Sequence, residues 1–115
     1  MTYRIDVTKS AERDLFEAAR YVAADLQNPV AAGALLDAAA EAIDSLGEMP
    51  LRCAPAKDEA LAARGIRILP VRNFLVFYAV REEKKTIVIE RFLYGRRDWL
   101  TILRDGEAPD NMAND

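Results

Sequence analysis

The chain has 115 residues, of which 51% are hydrophobic and 30% charged, with a formal net charge of −3. This suits one compact domain with a real core, and no apolar run approaches the ~18–20 residues that span a bilayer. It holds no histidine and a single cysteine, Cys53, so an intramolecular disulfide is excluded, and neither a metal site nor a cofactor is expected.

The N-terminal MTYRIDVTKS lacks the long apolar stretch of a signal peptide, which makes a cytoplasmic location the expectation. Charge is unevenly placed along the chain. Residues 1–63 hold six Lys/Arg against eleven Asp/Glu, residues 64–104 ten against four, and residues 105–115 none against four. The basic stretch favours an acidic partner (nucleic acid, acidic peptide or acidic protein surface) unless its arginines only solvate a sheet face and pair with the acidic helices.

Tyr3 to Thr8 alternates apolar and polar residues and predicts a first strand. With Thr8 or Ser10 as cap, Ala11, Leu15, Ala18, Ala19, Val22 and Leu26 recur at helical spacing and predict an amphipathic helix. Asn28-Pro29 supplies an N-cap and a first-position proline for a second helix, whose apolar stripe is Ala32, Leu35, Leu36, Ala39, Ile43 and Leu46. Gly47 is expected as its C-terminal cap, with Pro50 blocking continuation. The short link at Gln27-Asn28 folds the two helices into an antiparallel hairpin.

Residues 48–65 read as a connection, with a helical turn at Asp58 to Ala63. Strands are expected at about 66–71, 74–81 and 86–93, the last two joined by the polar tip Arg81 to Lys85. Pro70 either interrupts its strand or leaves that side unpaired. Phe74, Val76, Tyr78 and Val80 fall on one face of the middle strand and Leu75, Phe77 and Ala79 on the other, so it belongs at the centre of the sheet or beneath a bound segment. A helical turn at Arg97 to Leu103 completes a single domain over 1–104, and the acidic residues 105–115 read as a disordered tail. The expected fold is α+β. A strand, a two-helix hairpin and three antiparallel strands (β-α-α-β-β-β) make a four-stranded sheet, one face under the hairpin and the other left for solvent or a partner.

The order of the first strand, the helix opening KSAERDL, then NPVAAGALL, GIRILPVRNFLVFYAV and IERFLYGRRDW resembles the RelE/ParE family of type II toxin–antitoxin toxins, over residues 3 to about 103. The resemblance implies a toxin silenced by a cognate antitoxin, a ribbon-helix-helix, ParD-like protein whose acidic C-terminal segment folds on binding. It implies one of two targets: RelE-like members cut mRNA on the ribosome, and ParE-like members inhibit DNA gyrase.

For the nuclease, the resemblance places Arg67 and Arg97 at catalytic positions. The central-strand arginine and the C-terminal tyrosine of RelE-like nucleases are replaced here by Leu75 and by Leu100 to Leu103. A general base would have to come from Glu90, Asp98, Tyr94 or a lysine. The chain therefore resembles the ParE-like branch more closely, as a gyrase inhibitor concerned with plasmid stabilization or stress response. The ribosome-dependent endonuclease and an inactive antitoxin-binding module are the alternatives.

Arg67, Arg91, Gly95, Arg96, Arg97 and Trp99 are the candidate target-binding residues, with Arg72 as a weaker cation. Arginine suits acidic and phosphate surfaces because its planar fork donates paired hydrogen bonds. Each has a structural alternative. Arg91 would pair with Asp14 or another helix acid, Arg97 with Asp98 or a strand-end carbonyl, and Trp99 would plug the core. Gly95 is expected to turn the chain sharply so that Arg96 and Arg97 project.

Overall fold

The computed structural model describes residues 2–104, so the acidic tail at 105–115 lies outside the described residues. The elements are β1 (Arg4–Val7), α1 (Lys9–Arg20) running into a π-turn (Tyr21–Asp25), α2 (Pro29–Ser45), α3 (Glu59–Ala63), β2 (Ile66–Val71), β3 (Phe74–Arg81) and β4 (Thr86–Tyr94). A final helix, α4, occupies 99–104. The sheet order is β1-β4-β3-β2, with β1 parallel to β4 and the other neighbours antiparallel. The α+β architecture is the expected one.

Thr8 is the pivot between strand and helix. Its N–H donates to the Ile89 carbonyl at 3.1 Å, its hydroxyl donates to the Glu90 carbonyl at 2.9 Å, and the same oxygen accepts from the Ala11 N–H at 3.0 Å, capping α1. Asn28 caps α2 in the same way through the Ala31 N–H, with Pro29 in the first turn. Between the helices Gln27 adopts a left-handed φ of 52°. Pro70 does not interrupt β2, because β2 is an edge strand, where a residue without an amide hydrogen is tolerated.

Two expectations about the helices change. Leu26 does not continue the stripe of α1 but is exposed: the π-turn, closed by the Leu26 N–H on the Tyr21 carbonyl at 3.1 Å, adds a residue to the turn and carries Leu26 round to the side of Tyr21. Gly47 follows the end of α2 without a left-handed φ; Gly65, before β2, is the described glycine that takes one, at 76°. Gly47 is needed for closeness instead, since an added Cβ would lie 3.3 Å from the Asp44 carbonyl oxygen and 3.4 Å from that of Tyr3.

The larger core lies between the helices and the sheet. Leu35, Ala39, Ile43 and Leu46 of α2 pack with Ala11 and Ala18 of α1 on Val76, Tyr78, Ile87, Ile89 and Phe92. Straight period-two alternation would put Ile89 and Phe92 on opposite faces. They share one because the β3–β4 register slips between Phe77 and Tyr78: Phe77 faces Arg91 and Tyr78 faces Ile89, leaving Glu90 as the extra residue of a bulge. At that bulge the Asp14 carboxylate accepts from Arg91 Nε at 2.7 Å, Arg91 Nη2 at 3.0 Å and the Phe92 N–H at 3.0 Å, which fixes α1 over β4.

The second face of the sheet is not left open, contrary to expectation. Phe77, Ala79, Ile66 and Leu93 form a second core with Leu61 of α3 and Leu103, flanked by Trp99, Leu100 and Ile102. Thus β3 is apolar on both faces because both faces carry helices. Asp58 caps α3 through the Leu61 N–H, which together with Arg104 holds its carboxyl below the usual carboxylate range.

Removing one partner of a buried charge pair strands the other. Asp14→Ala should therefore lower the free energy of unfolding by about 3–5 kcal/mol in urea titrations, and the Asp14→Ala/Arg91→Met double variant should recover much of that loss.

Candidate functional site

Because α1 ends in a π-turn, Tyr21, Val22 and Leu26 form one wall beyond the last regular turn of the helix. Facing it are the ends of the two central strands, where Phe74 stacks on Phe92 with ring centroids 4.9 Å apart and meets Tyr94 edge-on at 5.6 Å. Between wall and aromatic floor runs a groove of about 550 Å³, with Arg97 and Asn73 at the strand end and Glu17 on the helix side. Tyr21, Leu26 and Tyr94 are 52%, 55% and 38% exposed, so the groove presents apolar surface that nothing in the described chain covers. Asp14 also borders it, but with its charge committed to Arg91.

The six residues singled out from sequence are dispersed. Arg67, on the edge strand, donates to the Cys53 carbonyl and holds the 48–57 connection against β2, helped by the Ala56 N–H on the Ile66 carbonyl at 2.9 Å. Arg91 makes the Asp14 pair. Trp99 packs on Phe77 at 5.2 Å in the outer core, the structural alternative foreseen for it. Gly95 does not turn through a left-handed φ; its N–H donates to the Asn73 carbonyl at 2.8 Å, and an added Cβ would come within 3.2 Å of that oxygen. Its small size closes the β3–β4 end tightly and sends the chain into the exposed turn that carries Arg96 and Arg97. Arg97 reaches the groove, and neither arginine has an ion-pair partner among the described residues.

The two arginines assigned to nuclease chemistry do not converge. Arg67 lies four residues along β2 from Val71, the residue opposite Phe74 at the groove floor, which is about 13 Å at the rise of an extended strand. Glu90, a candidate base, lines a recess with Arg64 and Arg81 on the outer sheet face, away from Arg97. Asp98, another, caps α4 by accepting from the Thr101 N–H at 3.4 Å. The weaker candidate cation Arg72 sits in the β2–β3 turn with φ 56°.

The family model described as "ParE toxin of type II toxin-antitoxin system, parDE" matches residues 5–99. The chain belongs to the ParE toxin family. No curated protein matches it. Among solved structures, a chain of the Pseudomonas aeruginosa chromosomal ParDE system aligns with a TM-score of 0.66 at 21% identity, over 81% of this chain and 96% of that one. A chain of the Mycobacterium tuberculosis RelBE2 toxin–antitoxin complex aligns at 0.57 and 23%, over 82% and 99%. A chain of the archaeal RelE–RelB complex of Pyrococcus horikoshii OT3 aligns at 0.58 and 18%, over 84% and 99%. At these identities the structural matches establish the fold. Among the described residues of this ParE-family chain, no helix is long and apolar enough to cross a membrane, and no group of three or more His, Cys, Asp or Glu is placed to hold a metal ion.

The groove was not legible in the sequence as a site. Tyr21, Phe74 and Phe92 read as helix and core residues, and the one available signal was Tyr21, an aromatic residue off the apolar stripe of α1. The buried Tyr78 hydroxyl was equally hidden: it donates to the Pro50 carbonyl at 3.0 Å and ties the 48–57 connection to the central strand.

Two tests separate architecture from recognition in this ParE-family chain. Arg67→Ala should cost about 1–3 kcal/mol in urea denaturation because a half-buried carbonyl loses its donor, while Arg96→Ala and Arg97→Ala should stay within about 0.5 kcal/mol of wild type. Burial, and then the Cys53 thiol beside it, push the Tyr78 hydroxyl from its ordinary 10.0 up to about 12. A raised folded value means that its contribution is intact below about pH 10 and lost as pH rises towards 12. Alkaline denaturation of Tyr78→Phe should lack that loss.

Proposed function

We propose that this ParE-family chain arrests growth by binding and inhibiting DNA gyrase in the cytoplasm, and that it is silenced by a cognate antitoxin of the ribbon-helix-helix, ParD-like kind. A role in plasmid stabilization or stress response follows from that pairing. The observation that carries the reading is the dispersal of the groups RNA cleavage would need. Arg67 is bound to the Cys53 carbonyl, Glu90 lies on the outer face of the sheet, and Arg97 lies at the helix-side groove. Cleavage requires cations and a base converging on one phosphate, whereas an inhibitor needs a presented surface, and the turn at Arg96-Arg97 beside an apolar groove presents one. The match to the ParE family model supports the same choice. Structural neighbours described as ParDE and RelBE complexes support an antitoxin partner.

Pulse-labelling of protein and DNA synthesis just after induction of the chain alone, paired with a gyrase supercoiling assay on the purified chain, tests this. Continued translation with arrested DNA synthesis, and loss of supercoiling in vitro, is expected. Immediate collapse of protein synthesis with supercoiling untouched would replace the reading with ribosome-dependent RNA cleavage.

A further inference from the structure

The π-turn at Tyr21–Asp25 is bought at the expense of regular helix geometry, and nothing in the core of the molecule needs it. None of its residues is buried, and the chain leaving it passes through the left-handed Gln27. Two backbone bonds hold it, Leu26 N–H to the Tyr21 carbonyl at 3.1 Å and Asn28 N–H to the Val22 carbonyl at 3.0 Å. Its visible consequence is the groove wall. In an uninterrupted α-helix Leu26 would stack on Val22, towards the apolar stripe. In the π-turn it stands over Tyr21, and both side chains are more than half exposed on the wall opposite Phe74 and Tyr94. Single π-turns within helices recur at functional sites.

The polar groups set the chemistry of the occupant. Arg97 brings an ion-pair-free guanidinium to the strand end of the groove, with Arg96 exposed beside it, while Glu17 places a negative charge on the helix side. Asp14 adds little field, because Arg91 neutralises it. At about 550 Å³ the groove exceeds what one side chain fills and falls within the range of pockets that enclose a ligand of several groups. An amphipathic segment fits this pattern if large apolar residues lie on the aromatic floor, a carboxylate meets Arg97, and no acid approaches Glu17.

We propose that the π-turn is a recognition device, which builds the groove wall so that Tyr21, Leu26 and the Phe74–Phe92–Tyr94 floor take the apolar anchors of an acidic amphipathic segment whose carboxylate binds Arg97. It rests on the reading above in identifying that segment as part of the antitoxin. Deleting Ala24, an exposed π-turn residue, restores α-helical spacing and closes the wall without touching either core.

The test uses the full chain and a fluorescein-labelled amphipathic peptide with leucines on one face and glutamates on the other, read by fluorescence anisotropy and by amide chemical shifts. Binding should shift Tyr21, Leu26, Phe92, Tyr94 and Arg97. Arg97→Glu should weaken it about tenfold or more, and so should replacing the peptide's glutamates by glutamines. Glu17→Lys should tighten it. Deletion of Ala24 should abolish it in a chain whose circular dichroism is retained, and Phe16→Ser, on the far side of α1 and 68% exposed, should leave it unchanged. Should the deletion variant fail to fold, Arg97→Glu and Glu17→Lys still decide. Binding indifferent to both charge changes, shifts confined to the outer sheet face, or a wild-type dimer broken by Arg97→Glu overturns the proposal. A chain that arrests DNA synthesis yet ignores the peptide keeps its function and loses this site. One that binds the peptide in the groove yet arrests nothing keeps the site and loses the function.

Discussion

Everything on the helix side of the sheet depends on three hydrogen bonds to one carboxylate. Asp14, on the buried face of α1, accepts from both arms of Arg91 and from the Phe92 backbone. A buried ion pair is poor evidence of net stability, because desolvating two charges offsets most of their attraction. Its value here is positional. The Phe92 N–H lies beyond the reach of β1, whose pairing with β4 ends at Val7 opposite Ile89, and an unmet donor on that edge would invite another strand. Asp14 occupies the donor and pins the helix in the same contact.

The bulge at Glu90 is the second half of that arrangement. One extra residue changes the phase of β4, so Phe92 joins Ile87 and Ile89 beneath the helices and becomes available to stack on Phe74. Without the slip it would face the outer core, and the groove would lose its floor. Helix placement, core composition and the candidate recognition surface are thus coupled through a few consecutive residues of β4.

The basic half of the chain divides by location. Arg67, Arg91 and Arg104 are engaged in holding a loop, a helix and the C-terminal turn. Arg96 and Arg97 follow Gly95 into an exposed turn where the backbone is satisfied locally, by the Arg97 N–H on the Tyr94 carbonyl at 3.0 Å. A cation held by carbonyls and carboxylates of its own chain supports the fold. One displayed at the rim of an apolar groove can meet a partner.

The sequence by itself determined the order of elements, the caps at Thr8, Asn28 and Asp58, the central place of β3 and the family resemblance, since each is written in local periodicity, capping chemistry or motif order. It also held Asp14 as a named partner for Arg91, though not as the group that meets Phe92. Only the tertiary structure decided the phase of β4 after Glu90, the closing of the outer face by α3 and α4, the engagement of Arg67 with Cys53, and the wall made by Tyr21 and Leu26. A bulge and a π-turn each add one residue without a distinctive residue type. Their consequences appear only when the segment packs against neighbours distant in the chain, which is why periodicity read along the sequence carried Leu26 and Phe92 to the wrong sides.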